Sequence, residues 1–349
     1  MAQHINKKVI YKKIPIGLPT EKETFNIVQA DIDIDNTKLA PDTVLVRNLY
    51  VSLDPYMRGR MRDPRVRSYV PAFKLDTVLE TLAVAEVVKT ASGRLNVGDI
   101  VSVMSKCENY SVVKAKGCTL IDNKYGIPLT YYLSVLGLPG LTAFIGLFKI
   151  GCPKAGETMF VSGASGAVGQ IVGQLAKLRG LRVVGSAGTD EKVNYLTKEL
   201  NFDAAFNYKK TKNLTSTLKE LCPSGIDIYF DNVGGETLEA ALSLCNDFAR
   251  VPLCGMISQY NSGPKDMHPI KNLILAVPRR IRLEGFIATD DHGELQAQFI
   301  KEVTQLVVEK KIKISETIDD GVDNIPSSLI SMFSGRNNGK QLVKLTSKL

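Results

Sequence analysis

The sequence predicts an α/β protein: a doubly wound parallel sheet with helices on its faces, accompanied by a β-rich part. Three observations carry this. Up to about Val113 the chain reads as short β-type runs separated by turn residues, and after about Gly137 it alternates strand with helix. A loop of small residues, Gly163 to Ala167, then joins the first strand of the alternating part to its helix. Strands alternating with helices at this spacing form a parallel sheet, which binds ligands at the carboxyl ends of its strands.

The β-rich part contains "TVLVRNLYVSL" (43–53) and "LAVAEVV" (82–88). The alternation begins with "MFVSG" (159–163) and an apolar-periodic helix from Val168 to Arg179. It continues through "RVVGSA" (182–187), a helix from Asp190 to Leu200, "AAFNY" (204–208), a helix from Leu214 to Leu221 and "IDIYFDNVGG" (226–235). A helix from Thr237 to Leu244 and the strands in "ARVPLCG" (249–255) and "RIRLEGFIA" (280–288) complete it. The closing "GRNNGKQLVKLTSKL" (335–349) carries a short strand pattern expected to return to the first part. The expected domains are 1–131 with 312–349, and 132–311.

The 349 residues are 44% apolar and 23% charged, which describes a globular chain rather than a disordered one. "MAQHINKKVIYKK" lacks an apolar run of signal-peptide length, and no segment reaches the ~18 apolar residues of a membrane span, so a cytoplasmic protein without a membrane partner is expected. The net charge of +8 is spread over "RGRMRDPRVR" (58–67), "RRIR" (279–282) and "EKKIK" (309–313). Each cluster sits in a mixed segment and reads as a solvated face rather than a nucleic-acid site. Six cysteines, at 107, 118, 152, 222, 245 and 254, never form a C-x-x-C pair, against both a zinc ribbon and a disulfide framework.

Three readings suit the loop after "MFV": a phosphate seat, a nucleophilic serine, or tight packing. The dinucleotide fingerprint G-x-G-x-x-G falls on Ala164, Gly166 and Gly169, with alanine in the first place. Its strength is its context: a strand before, a helix after, and a second strand at the β-α-β distance. As a nucleophile elbow, "GASGA" has alanine at 167 where G-x-S-x-G requires glycine, and the chain has no HGGG-type oxyanion loop. "GRNNGK" (335–340) is one residue short of a P-loop, and Gln341 stands where a magnesium-binding Ser or Thr belongs.

The tip of the second strand selects the cofactor. A NAD site carries an acid there for the ribose 2′-hydroxyl; this strand ends in Ser186, Ala187 and Gly188, with Lys192 four residues on. The missing acid favours NADPH, and Lys192 reads as a phosphate ligand or as a helix-surface lysine.

The three histidines, His4, His268 and His292, stand near no cysteine at metal-ligand spacing, so metal-free chemistry is expected. Reduction of an activated C=C bond fits, because charge developing on the carbonyl oxygen can be met by a neutral hydrogen-bond donor. Tyr260 in "LCGMISQYN" (253–261) lies just past the strand "ARVPL", at the ligand-bearing edge. A phenol there stays protonated at neutral pH; position alone equally allows a loop tyrosine packed on a neighbour.

The chain resembles the zinc-independent branch of the medium-chain dehydrogenase/reductase superfamily, specifically the leukotriene dehydrogenase, prostaglandin reductase and plant alkenal double-bond reductase group. The motifs run in order: "NLYVSLDPYMRGRM" (48–61), "LGLPGLTAF" (136–144), "GETMFVSGASGAVGQIVGQLAK" (156–177), "VVGSAGTDEKVNYL" (183–196), "FDAAFNYK" (202–209), "GIDIYFDNVGG" (225–235), "CGMISQYN" (254–261), "RIRLEGF" (280–286) and "FSGRNNGKQLV" (333–343). The resemblance implies a Rossmann domain for NADPH, a GroES-like catalytic domain built from both chain ends, a homodimer, and reduction of the α,β double bond of enones and enals.

Carried over by position, the resemblance makes Gly163, Ala164, Ser165, Gly166, Ala167 and Val168 the pyrophosphate loop. Lys192 and Tyr208 lie at the 2′-phosphate, Gly188 belongs to the cofactor site, and Asn232, Cys254, Ser258, Phe286, Ile287 and Asn337 lie along the cofactor channel. Thr142 approaches the nicotinamide, Tyr56 belongs to the substrate pocket, and Tyr260 donates to the substrate carbonyl or fixes the nicotinamide ribose. Thr81, Leu82 and Ala83 replace a Gly-aromatic-Gly run, putting Leu82 where the plant enzymes have a pocket tyrosine. Lys106 to Tyr110 replace a Trp-containing segment, and the chain has no Trp, so the pocket is expected to differ more than the reaction. Two alternatives stay open: an NADPH quinone oxidoreductase, and a non-catalytic protein binding NADPH or RNA.

Overall fold

A computed structural model describes residues 4–263, 265–290 and 293–345. The strands in chain order are β1 (His4–Tyr11), β2 (Phe25–Ile32), β3 (Thr43–Ser52), β4 (Thr77–Val78), β5 (Glu80–Thr90), β6 (Ile100–Lys106), β7 (Tyr110–Lys114) and β8 (Cys118–Leu120), followed by β9 (Thr158–Val161), β10 (Arg182–Ala187), β11 (Ala204–Asn207), β12 (Ile226–Phe230), β13 (Cys245–Leu253) and β14 (Arg282–Gly285), and finally β15 (Glu316–Asp320) and β16 (Lys340–Lys344). The chain divides into two compact units, Met1–Leu133 with Glu316–Leu349, and Ser134–Ser315.

The second unit is built on a six-stranded sheet in the order β11-β10-β9-β12-β13-β14, parallel throughout. This is the 3-2-1-4-5-6 order of a doubly wound sheet, whose direction of winding reverses between β9 and β12 and leaves a crevice beyond those two strands. Covered on both faces, the central strands are apolar without alternation: Met159, Phe160, Val161, Ile228, Tyr229 and Phe230 are all fully buried. Phe160 stacks on Tyr229 at 5.0 Å between ring centroids.

The helix after β9 spans Gly169–Leu178. It packs so closely that a Cβ on Gly173 would stand 2.0 Å from the Phe202 ring. The segment expected as one helix from Asp190 to Leu200 is α-helical only over Asp190–Asn194 and widens to a π-helix over Tyr195–Glu199. The widened turn opens at Tyr195, whose hydroxyl donates to Gln170 Oε1 at 3.1 Å.

In the first unit, a seven-stranded sheet has the order β15-β16-β3-β5-β6-β8 with β7 also on β3, and a three-stranded sheet has the order β2-β1-β4. β16 runs antiparallel to β3 with Leu342 opposite Ser52, so the last strand joins the sheet formed by the first hundred residues. Tyr11, Val51, Met57, Met61, Leu79, Leu329 and Val343 belong to one core cluster.

Candidate functional site

In the second unit, the loop after β9 enters the crevice. Gly163 has φ +58°, a left-handed conformation that favours glycine. Ala164 N–H donates to Ser186 O at 2.9 Å, tying the loop to the tip of β10. A Cβ on Gly169 would stand 2.4 Å from Gly163 O and 2.7 Å from Ala164 Cα, so the third fingerprint position admits only glycine. The alanine in the first place has a structural counterpart. A Cβ on Gly185 would fall 2.9 Å from Ala164 Cβ, so glycine on the neighbouring strand supplies the space that glycine in the loop would otherwise supply. Ser165 is buried, while Gly166, Ala167 and Val168 are half-buried as the turn meets the helix N-terminus. This glycine-lined entry to a ten-residue helix suits a pyrophosphate.

At the tip of β10 the residues converge on Gly188. A Cβ there would stand 3.3 Å from Tyr208 Oη and 3.4 Å from Lys209 Cε. Thr189 caps the following short helix, its Oγ1 accepting Lys192 N–H at 3.3 Å. The Lys192 ammonium titrates below its ordinary value, first because it is partly buried and next because Lys209 lies near it. The nearby Asp190 carboxylate is engaged by Asn207 Nδ2 at 2.8 Å and by Lys210. Two lysines, a phenol and a paired-off acid make a fit for a phosphate on the adenosine ribose.

Beyond β12 and β13, Asp231 organises the backbone. It is fully buried, and its Oδ1 accepts from Tyr229 Oη at 2.6 Å, Ser162 Oγ at 3.2 Å, Val233 N–H at 2.9 Å and Gly234 N–H at 2.8 Å. Its backbone oxygen accepts Cys254 N–H at 2.9 Å and Gly255 N–H at 3.1 Å. Asn232 donates from Nδ2 to Ser162 O at 2.8 Å, and Ser258 Oγ donates to Val233 O at 2.6 Å. The Cys254 thiol is pushed up to about 12, by burial first and by Asp231 second, so it stays protonated at neutral pH. Tyr260 ends the short turn Ile257–Gln259, and its hydroxyl oxygen accepts Met256 N–H at 3.2 Å. The loop continues to His268, which meets Glu239 and whose N–H donates to Gln259 Oε1 at 3.0 Å.

Thr142 lies on the helix Leu138–Ile145 and turns its hydroxyl back to Leu138 O at 2.7 Å. The next residues tie that segment to Phe286: a Cβ on Gly146 would stand 2.7 Å from the Phe286 ring, and Phe286 meets Phe230 edge-on at 6.4 Å. Ile287 follows β14, half-buried. The second unit thus gathers the loop residues 163–168 with Asn232, Cys254, Ser258 and Tyr260 at one sheet edge, and sets Tyr208 and Lys209 around Gly188, with Lys192 near Lys209.

In the first unit, Tyr56 begins a short helix, Tyr56–Arg60, and packs against the core cluster. Burial, and after it the Asp54 carboxylate, hold its phenol protonated. Leu82 is half-buried and packs against Leu49, Val84, Leu133 and Leu342. Cys107 is fully buried in the Tyr56-side cluster. Asn337 lies in the turn before β16, with its Nδ2 donating to Gly339 O at 2.8 Å. The sequence did not single out Asp231, Gly255, Lys209, or the buried pair Asp54 and Lys340. The quoted runs "FDNVGG", "CGMISQYN", "FNYK", "SLDPY" and "NNGK" contain them all, yet nothing in their composition shows which side chains are buried.

Among the described residues, no group of three or more His, Cys, Asp or Glu is placed to hold a metal ion, and His292 lies outside them. No helix among them is long and apolar enough to cross a membrane.

A doubly wound sheet with a glycine-lined loop and a cationic second-strand tip defines the class: a dinucleotide-dependent oxidoreductase. Residues 7–121 match the model of the N-terminal domain of oxidoreductase, and residues 167–307 that of zinc-binding dehydrogenase. The chain is 45% identical over 345 residues, 97% of each chain, to the NADP-dependent oxidoreductase RED1 of Cochliobolus heterostrophus. It is 40% identical over 353 residues, 99% of each chain, to an NADP-dependent 2-alkenal reductase of Nicotiana tabacum. Among solved structures, CurA of Vibrio vulnificus in complex with NADPH matches with a TM-score of 0.90 at 36% identity, covering 98% of this chain and 100% of that one. The chain therefore belongs to the zinc-independent medium-chain dehydrogenase/reductases, in the group of the leukotriene dehydrogenases, prostaglandin reductases and alkenal reductases.

Proposed function

We propose that this chain uses NADPH to reduce the α,β double bond of enones and enals. The observation that carries the reading is Tyr260: a phenol at the carboxyl edge of the sheet whose oxygen already accepts Met256 N–H at 3.2 Å. A phenol stays protonated at neutral pH and donates a hydrogen bond, which suits an oxygen on which negative charge grows.

When bound, NADPH would supply a hydride to the β-carbon. The π pair then moves to the carbonyl oxygen, and Tyr260 donates a hydrogen bond to the resulting enolate. The α-carbon takes its proton from solvent or through the ribose hydroxyl, and the saturated ketone or aldehyde leaves. Gly163 to Val168 seat the pyrophosphate, and Lys192 and Tyr208 with Gly188 hold the 2′-phosphate. In the second unit Thr142, Asn232, Cys254, Ser258, Phe286 and Ile287 serve the cofactor; in the first unit Asn337 is assigned to the cofactor, and Tyr56 and Leu82 to the substrate. The unit holding both chain ends is the substrate domain, and the working form is a cytoplasmic homodimer that takes a small molecule and no nucleic acid.

The test is NADPH consumption with 3-nonen-2-one, an enal and a quinone, with product identification. Saturated ketone from the enone supports the reading. Turnover with quinone alone replaces it with a quinone reductase, and NADPH binding without turnover, together with salt-sensitive RNA retention, replaces it with a binding protein.

A further inference from the structure

A lysine sits fully buried in the first unit. Lys340 is 1% exposed, and its ammonium donates to Leu53 O at 2.6 Å, Asp54 Oδ1 at 3.0 Å and Gln341 O at 3.1 Å, one acceptor for each of its three protons. Asp54 is itself 7% exposed, and its second oxygen accepts the Ser52 hydroxyl. The register explains the meeting: Leu342 pairs with Ser52, and continuing by two residues sets Lys340 opposite Asp54.

Stability alone is a poor account of such a pair, because an apolar pair of similar volume in a core is often as stable or more so. Its partners point to another account. Two of the three acceptors lie at Leu53 and Asp54, directly before Pro55 and Tyr56. From there Met57 N–H donates to Asp54 O at 3.1 Å and Arg58 N–H to Pro55 O at 3.1 Å, starting the helix at Tyr56. Lys340 follows the turn that carries Asn337, so one strand end is fastened to the Tyr56 turn.

We infer that the buried Asp54–Lys340 pair is a positioning device that fixes the Tyr56 turn and thereby sets recognition of the enone. The inference rests on the reading of Tyr56 as a substrate-pocket residue and adds the device that places it. Neither Asp54 nor Lys340 touches substrate in this account; both act through the backbone of residues 53–56.

The test is a double-mutant cycle in the full-length protein with 3-nonen-2-one as substrate: Lys340→Met, Tyr56→Phe and the two combined. Lys340→Met is expected to raise the enone KM by about tenfold, with NADPH affinity within about twofold of the parent. In the Tyr56→Phe background the same substitution is expected to change that KM by less than about twofold. If Lys340→Met does not fold, Asp54→Asn with Lys340→Met, which removes both buried charges together, is read in its place. An unchanged enone KM accompanied by a lower melting temperature makes the pair merely structural and overturns the inference. An equal rise in both backgrounds also overturns it. An unchanged KM in Tyr56→Phe alone removes the substrate role of Tyr56 and the inference with it. A KM that depends on Tyr56 but ignores Lys340 removes only the inference.

Discussion

The hydroxyl oxygen of Tyr260 lies 2.9 Å from where a Cβ on Gly255 would be, so the phenol occupies space that only glycine leaves. One methyl group at 255 therefore displaces the proposed donor without touching it chemically. Gly255→Ala and Tyr260→Phe are each expected to lower kcat on an enone by roughly 10- to 100-fold, with NADPH binding largely kept. Because Phe has no oxygen there, adding Gly255→Ala to Tyr260→Phe should cost little more. Additive losses in steady-state kinetics would show that the two residues do not act on one contact.

Lys192 tests the phosphate grip. A lysine held partly buried beside Lys209 gains most from a dianionic ligand, and a cofactor without the 2′-phosphate offers it nothing to bind. Lys192→Ala is expected to raise the KM for NADPH by about 10- to 100-fold and to leave that for NADH within about twofold. Equal loss for both cofactors would place Lys192 outside the phosphate site.

Gly173 reports on packing rather than on ligand. With the Phe202 ring 2.0 Å from the place of a Cβ, Gly173→Ala is expected to cost about 1–3 kcal/mol of stability by overpacking. Phe202→Leu in the same chain should recover part of it, and urea denaturation of the single and double variants measures both. A Gly173→Ala protein as stable as the parent would mean that helix and ring part easily.

The cofactor was legible because the signals for it are local. "RVVGSA" coincides with β10, and the lack of an acid at its tip is a property of the letters themselves. The alanine at 164 looked like a defect in the fingerprint because its compensation, Gly185, lies on another strand. The π-helical turn at Tyr195 was likewise hidden, since periodicity does not anticipate a hydroxyl reaching Gln170. Lys340 appeared only as the last letter of a failed P-loop; its burial follows from a strand pairing with residues almost three hundred positions away. What escaped the sequence was long-range pairing and the room that glycines leave for partners distant in sequence.

Asp231 gives a prediction with a sign in pH. Its Oδ1 accepts four hydrogen bonds, its Oδ2 is buried with no hydrogen-bond partner, and burial outweighs the bonds, so the carboxyl titrates above its ordinary 3.8. An acid whose folded value is raised binds its proton more tightly when folded. The stability this contributes is complete below 3.8 and is lost as pH rises through the folded value. Asp231→Asn keeps an oxygen for the donors and never ionises. Relative to the parent, its stability in urea should therefore improve as pH rises from about 4 to about 8, a comparison in which the other titrating groups cancel. Asp231→Ala removes the acceptor of Ser162 Oγ, Val233 N–H and Gly234 N–H, leaving Tyr229 Oη only Ser162 Oγ at 3.0 Å, and should cost about 3 kcal/mol or more across the same range. A difference between the Asn variant and the parent that stays flat with pH would show that the carboxyl is ionised alike in the folded and unfolded chains.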